Sequence, residues 1–162
     1  NRLFFVVVMG RDSGCIALNA GIAGGAEAIL LPEKDTAIDD LINMLETAAD
    51  RNKSSMIVIV AEGDKNGGAN YVAQRVKEKY DFFDTKVSIL GHLQRGGSPS
   101  AYDRILASRL GLGALEGLMA GQKNVMAGII NNDLVYTPFE DTIRLPKPIN
   151  EDLLRMVKIL SV

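Results

Sequence analysis

Two stretches of the chain, Leu3–Met9 and Met56–Ala61, are apolar at every position and rich in β-branched and aromatic side chains. A strand with one wet face alternates polar and apolar residues. A strand that does not alternate must be covered on both faces, which is the situation inside a parallel sheet. Both runs are far too short to span a bilayer. They therefore read as buried parallel strands. Ala28–Leu31, closed by Pro32, and Lys86–Leu90 read as further strands.

Helical patterns lie between the strands. Cys15–Ala23 reads as a helix with Asp12 or Ser13 as candidate caps. From Thr36 to about Ala49, apolar side chains at Ile38, Leu41, Ile42 and Leu45 keep helical spacing. Ala69–Tyr80 places Val72 and Val76 on one face. A long helix is expected over Ala101–Met119, ending at Gly121. Val125–Ile130 and Leu134–Thr137 read as strands paired across Asn131-Asn132. Asn150 is placed to cap a closing helix that runs to Leu160, and Leu145–Pro148 reads as a connector. Strands alternating with helices give an α/β class with a mainly parallel sheet.

Composition narrows the function classes. Apolar residues make up 47% of the 162, enough to fill a core, and a formal net charge of −2 gives no global attraction to nucleic acid or to a membrane. Any anion site must therefore be built locally. The single cysteine, Cys15, cannot form an internal disulfide, which fits a reducing cytosol. No signal peptide is visible, and the chain opens inside an element without an initiator methionine. It is expected to be a piece of something longer.

In open α/β sheets, ligands gather at the carboxyl ends of strands. Three such ends carry polar, glycine-rich punctuation: Met9-Gly10-Arg11, Ala61-Glu62-Gly63, and Leu90-Gly91-His92 through Arg95-Gly96-Gly97. They set two arginines, a glutamate and the lone histidine on one expected rim. A sugar phosphate needs that mixture. Cationic donors and open amides take the phosphate, and a carboxylate or imidazole takes the hydroxyls. By residue type alone the argument ends at an anion-binding α/β domain.

The motifs carry it further. Val8-Met9-Gly10-Arg11-Asp12-Ser13-Gly14 resembles the substrate-loop signature of the phosphofructokinases. Gly91-His92-Leu93-Gln94-Arg95-Gly96-Gly97-Ser98-Pro99, followed by Tyr102-Asp103-Arg104-Ile105-Leu106-Ala107-Ser108-Arg109, is similar to the family's other long signature. Ile22–Glu27 and Ile59–Gly63 match two further family segments in the right order.

The resemblance implies a three-layer α/β sandwich with a mainly parallel sheet, a fragment of a two-domain enzyme. Residues 1–98 would be the fructose 6-phosphate-binding domain. Residues 99–147 would pack on a nucleotide-binding domain that this chain lacks, and residues 148–162 would form a C-terminal helix. Packing of that kind would leave apolar side chains such as Leu106, Leu110 and Leu118 open to self-association. The implied reaction is transfer of a phosphoryl group from ATP, with Mg2+, to fructose 6-phosphate in cytoplasmic glycolysis. A pyrophosphate-dependent enzyme, or a non-catalytic module sensing a sugar phosphate or nucleotide, are the alternatives.

The resemblance also implies roles for particular residues. Arg11, with the Met9 and Gly10 backbone, would hold the sugar phosphate and neutralise the transferring phosphoryl group. Glu62 would bind sugar hydroxyls. His92, Leu93, Gln94 and Arg95 would grip the sugar and its 6-phosphate. Arg2 and Lys86 match cationic positions that reach a neighbouring subunit's substrate, which implies a homo-oligomer, a tetramer in the family. Gly25, Ala26, Glu27, Arg51 and Lys53 match a site for a nucleotide diphosphate effector, with Gly25 and Glu27 at its magnesium.

This chain departs from the family pattern in four places. Lys86 stands where arginine is usual and lacks the bidentate fork. Val7 replaces a frequent glutamate, and Ser54-Ser55 replace basic residues. The glycine-rich ATP loop and the Thr-x-Asp-x-Asp catalytic segment occur nowhere in it. The chain by itself is therefore expected to be catalytically inert.

Overall fold

The structure is a computed structural model, and it describes residues 2–51, 53–145 and 148–160. Pro146 and Lys147 of the expected connector lie outside the described residues. The chain divides into two compact units, residues 1–95 with 149–162, and residues 96–148.

The first unit is built on a four-stranded parallel sheet. Its strands are β1 (Arg2–Val8), β2 (Ala28–Leu30), β3 (Ser55–Ala61) and β4 (Asp84–Ile89), in the spatial order β2-β3-β1-β4. Helices α1 (Cys15–Ala23), α2 (Ile38–Asp50) and α3 (Ala69–Lys79) supply the crossovers. The period-two geometry of a strand sends successive side chains to opposite faces. Leu3, Phe5, Met56, Val58, Val60, Ala28 and Leu30 therefore join one core with Leu41, Leu45, Val72 and Val76 of α2 and α3. Val8, Ile59, Ala61 and Leu31 join a second core with Ala17 and Leu18 of α1. Two cores on two faces make three layers, which is why β1 and β3 carry no polar alternation.

Helix α6 (Glu151–Leu160) completes the second face, because Ile149, Leu153, Leu154 and Val157 pack against that core. The sequence division set residues 148–162 apart as a segment of their own. The apolar stripe of α6 instead joins residues 149–162 to the first unit, and the other boundary falls after Arg95 rather than after Ser98. Asn150 does cap this helix, its Oδ1 accepting from the Asp152 and Leu153 amides at 3.0 and 3.2 Å. Neither Asp12 nor Ser13 is the N-cap residue of α1. That position is Gly14, which has no side chain to offer.

The second unit consists of α4 (Ala101–Met119), the antiparallel pair β5 (Val125–Ile130) and β6 (Asp133–Pro138), and α5 (Phe139–Arg144). A reciprocal box between Ser100 and Asp103 starts α4. Asn131 and Asn132 both hold positive φ, 51° and 71°, the conformation of a two-residue hairpin turn. Gly113 and Gly117 let α4 approach the hairpin, because a methyl at either would overlap Leu134 or Tyr136. Leu118 and Met119 of α4 are exposed, whereas Leu106 and Leu110 are half-buried.

Phe5 is fully buried in the middle strand region, whereas Phe82 is 64% exposed. Phe5→Ala should therefore lower stability by about 3–5 kcal/mol, and Phe82→Ala by less than about 1 kcal/mol. Urea unfolding monitored by circular dichroism measures both. Equal losses would contradict the core described above.

Candidate functional site

The carboxyl ends of β1, β3 and β4 converge, as the strand-end rule requires for parallel neighbours in register. Val8 pairs with Ala61, and Val7 with Ile89. The three turns that follow are therefore side by side, and they hydrogen-bond to one another. Glu62 Oε1 accepts from the Gly10 amide at 3.1 Å and from the Arg11 amide at 2.7 Å. Gln94 Oε1 accepts from the Met9 amide at 2.8 Å. The Glu62 amide itself donates to the Val8 carbonyl at 2.9 Å.

Backbone geometry makes the double acceptance possible. Gly10 has φ 155° and Arg11 has φ 51°, so successive amides turn toward a single oxygen. The left-handed conformation disfavours a side chain such as arginine by about 1–2 kcal/mol. Gly63 lacks a side chain at the point where one would overlap the Arg11 carbonyl. The Arg11 side chain is exposed at this rim.

Electrostatics follow from the same contacts. The Arg11 and Gly10 amides, and then the guanidinium charges of Arg11 and Arg95, hold the Glu62 carboxyl below the usual glutamate range, against partial desolvation. Glu62 is thus an ionised acceptor at neutral pH. Arg95 closes a short 3-10 turn, Gly91–Arg95, that also carries His92 and Leu93, both exposed. Among the described residues, the His92 side chain makes no hydrogen bond to the loop, and Leu93 has no polar group to offer one. They share the rim through their turn alone.

Other expected site residues lie elsewhere. Arg2 opens β1, seven residues before Met9, or about 23 Å along an extended strand. Lys86 pairs in register with Phe4 and forms an exposed ion pair with Asp84 at 2.9 Å. Neither can reach the rim of its own chain.

The expected effector residues gather at the amino edge of the sheet. Glu27 is buried, its Oε1 taking the Lys53 ammonium at 3.1 Å and its Oε2 the Ile57 amide at 2.7 Å. Ala26 is buried beside it, and Gly25 has φ 65° with open space around it. Arg51 follows α2 and is exposed. The residues do not fit a magnesium seat as they stand. Both oxygens of Glu27 are engaged, and the nearest charge is a cation. Among the described residues no cluster of three or more His, Cys, Asp or Glu side chains is arranged for a metal.

Two features were missed in the sequence. One is a cavity of about 270 Å3 that shares Glu27 and Arg51 but is otherwise lined mainly by apolar groups, including Met44, Leu154 and Val157. Its lining comes from β2 and the turn after it, α2 and α6, which no motif connects. The other is Glu33, after β2, whose carboxylate accepts from the Gly14 amide. A carboxylate directly after a strand was the available signal.

A family model described as phosphofructokinase matches residues 1–118. The chain belongs to the phosphofructokinase family. It is 52% identical to the ATP-dependent 6-phosphofructokinase 2 of Bacteroides thetaiotaomicron, over 99% of this chain and 49% of that relative. The solved phosphofructokinase of Saccharomyces cerevisiae superposes with a TM-score of 0.82 at 32% identity, over 99% of this chain and 23% of that one. A pyrophosphate-dependent phosphofructokinase of Marinobacter aquaeolei shares the fold with a TM-score of 0.76 at 23% identity, over 98% of this chain and 47% of that one. The chain spans about half the length of the curated relatives it matches.

The lowered Glu62 pKa has a defined pH consequence. A carboxylate whose folded pKa is depressed contributes stability above its unfolded pKa and loses it as pH falls through the folded value. The loop contact should therefore be complete at neutral pH and survive acidification past the ordinary glutamate value of about 4.3. Carbon-detected NMR of the Glu62 carboxyl should give a midpoint below that value, rising in Arg95→Ala. A midpoint at or above it in the unaltered protein would refute the arrangement.

Proposed function

We propose that this chain is the sugar-phosphate-binding half of an ATP-dependent 6-phosphofructokinase. The whole enzyme would transfer a phosphoryl group from ATP to the 1-hydroxyl of fructose 6-phosphate, giving fructose 1,6-bisphosphate in cytoplasmic glycolysis. The observation that carries this reading is the single oxygen of Glu62 holding two amides of the Arg11 loop. That contact ties the Arg11 loop to a carboxylate, and the Met9 amide donating to Gln94 Oε1 joins the turn bearing His92 and Arg95 to the same loop.

In this reading Arg95 and His92 grip the sugar and its 6-phosphate, with Leu93 and Gln94 shaping the turn. Glu62 keeps lone pairs for sugar hydroxyls, and the Met9 and Gly10 backbone borders the sugar. Arg11 acts on the reacting end, where a guanidinium offsets charge on the phosphoryl group in flight. Catalysis of this type is positioning plus electrostatics. Magnesium bound with ATP would supply further charge neutralisation, and its ligands and the proton acceptor would come from the rest of the enzyme.

ATP is preferred over pyrophosphate because the relative 52% identical to this chain carries an ATP-dependent name. The pyrophosphate-dependent neighbour, at 23% identity, speaks to fold alone. Arg2 and Lys86, remote from their own rim, would serve a second copy's substrate in a homo-oligomer, a tetramer as in the family. Arg51, Lys53, Gly25, Ala26 and Glu27 would lie near a nucleotide diphosphate effector, whose phosphates would have to draw Lys53 away from Glu27.

Calorimetry of fructose 6-phosphate on the full-length protein tests the site. Arg95→Ala removes a charge-assisted contact and should weaken binding about tenfold or more, with the circular dichroism spectrum unchanged. Equal affinity in the two proteins would remove Arg95 from the site. Turnover with pyrophosphate but not ATP would overturn the choice of donor.

A further inference from the structure

The Arg11 loop is held at two ends, and only one of its anchors belongs to the rim described above. The second is Glu33. Strand β2 ends at Leu30, and Leu31 and Pro32 remain buried. The Lys34 amide then donates to the Leu31 carbonyl at 3.2 Å, closing a tight turn. That turn aims the Glu33 carboxylate at the start of α1. Its two oxygens lie 2.8 and 3.0 Å from the Gly14 amide nitrogen.

Gly14 is the N-cap of α1 and has no side chain with which to cap it. A helix N-terminus favours a carboxylate, through both its unpaired amides and its dipole. Here a residue 19 positions away supplies one. The fit is close, since a methyl on Gly14 would lie 2.5 Å from Leu31 Cδ2 and 2.7 Å from Glu33 Oε2. The loop is thus fixed by Glu62 at Gly10 and Arg11, and by Glu33 at Gly14. The Ser13 amide, donating to the Gly10 carbonyl at 3.0 Å, joins the two ends.

We propose that Glu33 is a positioning residue for the Arg11 loop, acting through Gly14 and touching no substrate. The catalytic consequence rests on the function proposed above for Arg11. A group that stabilises charge only during transfer loses its effect in kcat when misplaced, more than in substrate binding. Removing Glu33 frees the helix end of the loop while Glu62 still holds the other end. The Arg11 guanidinium then samples more positions, and small displacements of such groups are costly in rate.

The test uses the full-length protein with Glu33→Ala, Glu33→Gln and Glu33→Asp. Glu33→Ala should lower kcat about tenfold, with KM for ATP within about twofold of the unaltered protein. Glu33→Gln keeps an acceptor oxygen in place and should recover kcat to within about threefold. Amide hydrogen exchange at Gly14 should accelerate in Glu33→Ala. A folded Glu33→Ala protein with undiminished kcat, or a Glu33→Gln protein as impaired as Glu33→Ala, would overturn the proposal. Should Glu33→Ala fail to fold, Glu33→Asp decides. It withdraws the carboxylate by one methylene, so lowered kcat at unchanged melting temperature supports the role and unchanged kcat defeats it. Absence of fructose 6-phosphate kinase activity in the unaltered protein would defeat the functional reading itself. Exchange at Gly14 would still report separately whether Glu33 orders the loop, and unchanged exchange would overturn that too.

Discussion

One carboxylate oxygen accepting two successive amides is the contact on which the rim depends. Glu62 can take the Gly10 and Arg11 amides only if the chain reverses sharply between them. The reversal requires Gly10 at φ 155° and Arg11 at φ 51°. It also requires nothing but hydrogen on Gly63, because the Arg11 carbonyl occupies the space of a side chain there. Each of these features is unfavourable or restrictive alone. Together they convert a flexible glycine turn into a fixed platform for a guanidinium. The same hydrogen bonds keep Glu62 ionised, so structure and charge are maintained by one interaction.

The platform in turn depends on the sheet. Parallel register sets Ala61 level with Val8 and Ile89 level with Val7, so the three polar turns start side by side. Burial of β1 and β3 on both faces fixes that register, since a slip of one residue would exchange the two cores. The apolar runs therefore do more than fill space. They set the height at which Arg11, Glu62 and Gln94 emerge.

Much of this was legible in the residues. Leu3–Met9 announced a strand covered on both faces, and the long α4 and the Asn131-Asn132 turn fell where helix and turn chemistry put them. The strand-end rule found Met9–Arg11, Glu62 and the His92–Arg95 turn. Other features depend on distances that spacing does not carry. Glu33 follows a strand like the others, but Pro32 reads as a terminator and hides the carboxylate after it. Glu27 looks like a metal ligand by resemblance, yet its burial against Lys53, 26 residues away, arises only from the pairing of β2 with β3. The place of α6 could not be read either, because its amphipathic stripe identifies a buried face without naming what buries it.

The placement of Lys86 shows how position and electrostatics combine. It emerges from the middle of β4, level with Phe4, and its ammonium rests on Asp84. The two groups are 60% and 59% exposed, so water and salt screen the pair and it is easily exchanged. Asp84 is held below the usual aspartate range by Lys86, with smaller help from Arg2 and Lys77. Lys86 thus stays reachable in the amino half of the sheet, away from its own rim. A phosphate carries more charge than one carboxylate and offers more acceptor oxygens, so an exposed pair of this kind is open to exchange with one. Lysine suits that exchange better than arginine would, because a point charge on a flexible stem leaves one partner for another without breaking a bidentate fork. Lys86 therefore cannot serve a phosphate bound in the rim of its own chain, and only an anion brought to the amino half of the sheet lies within its reach.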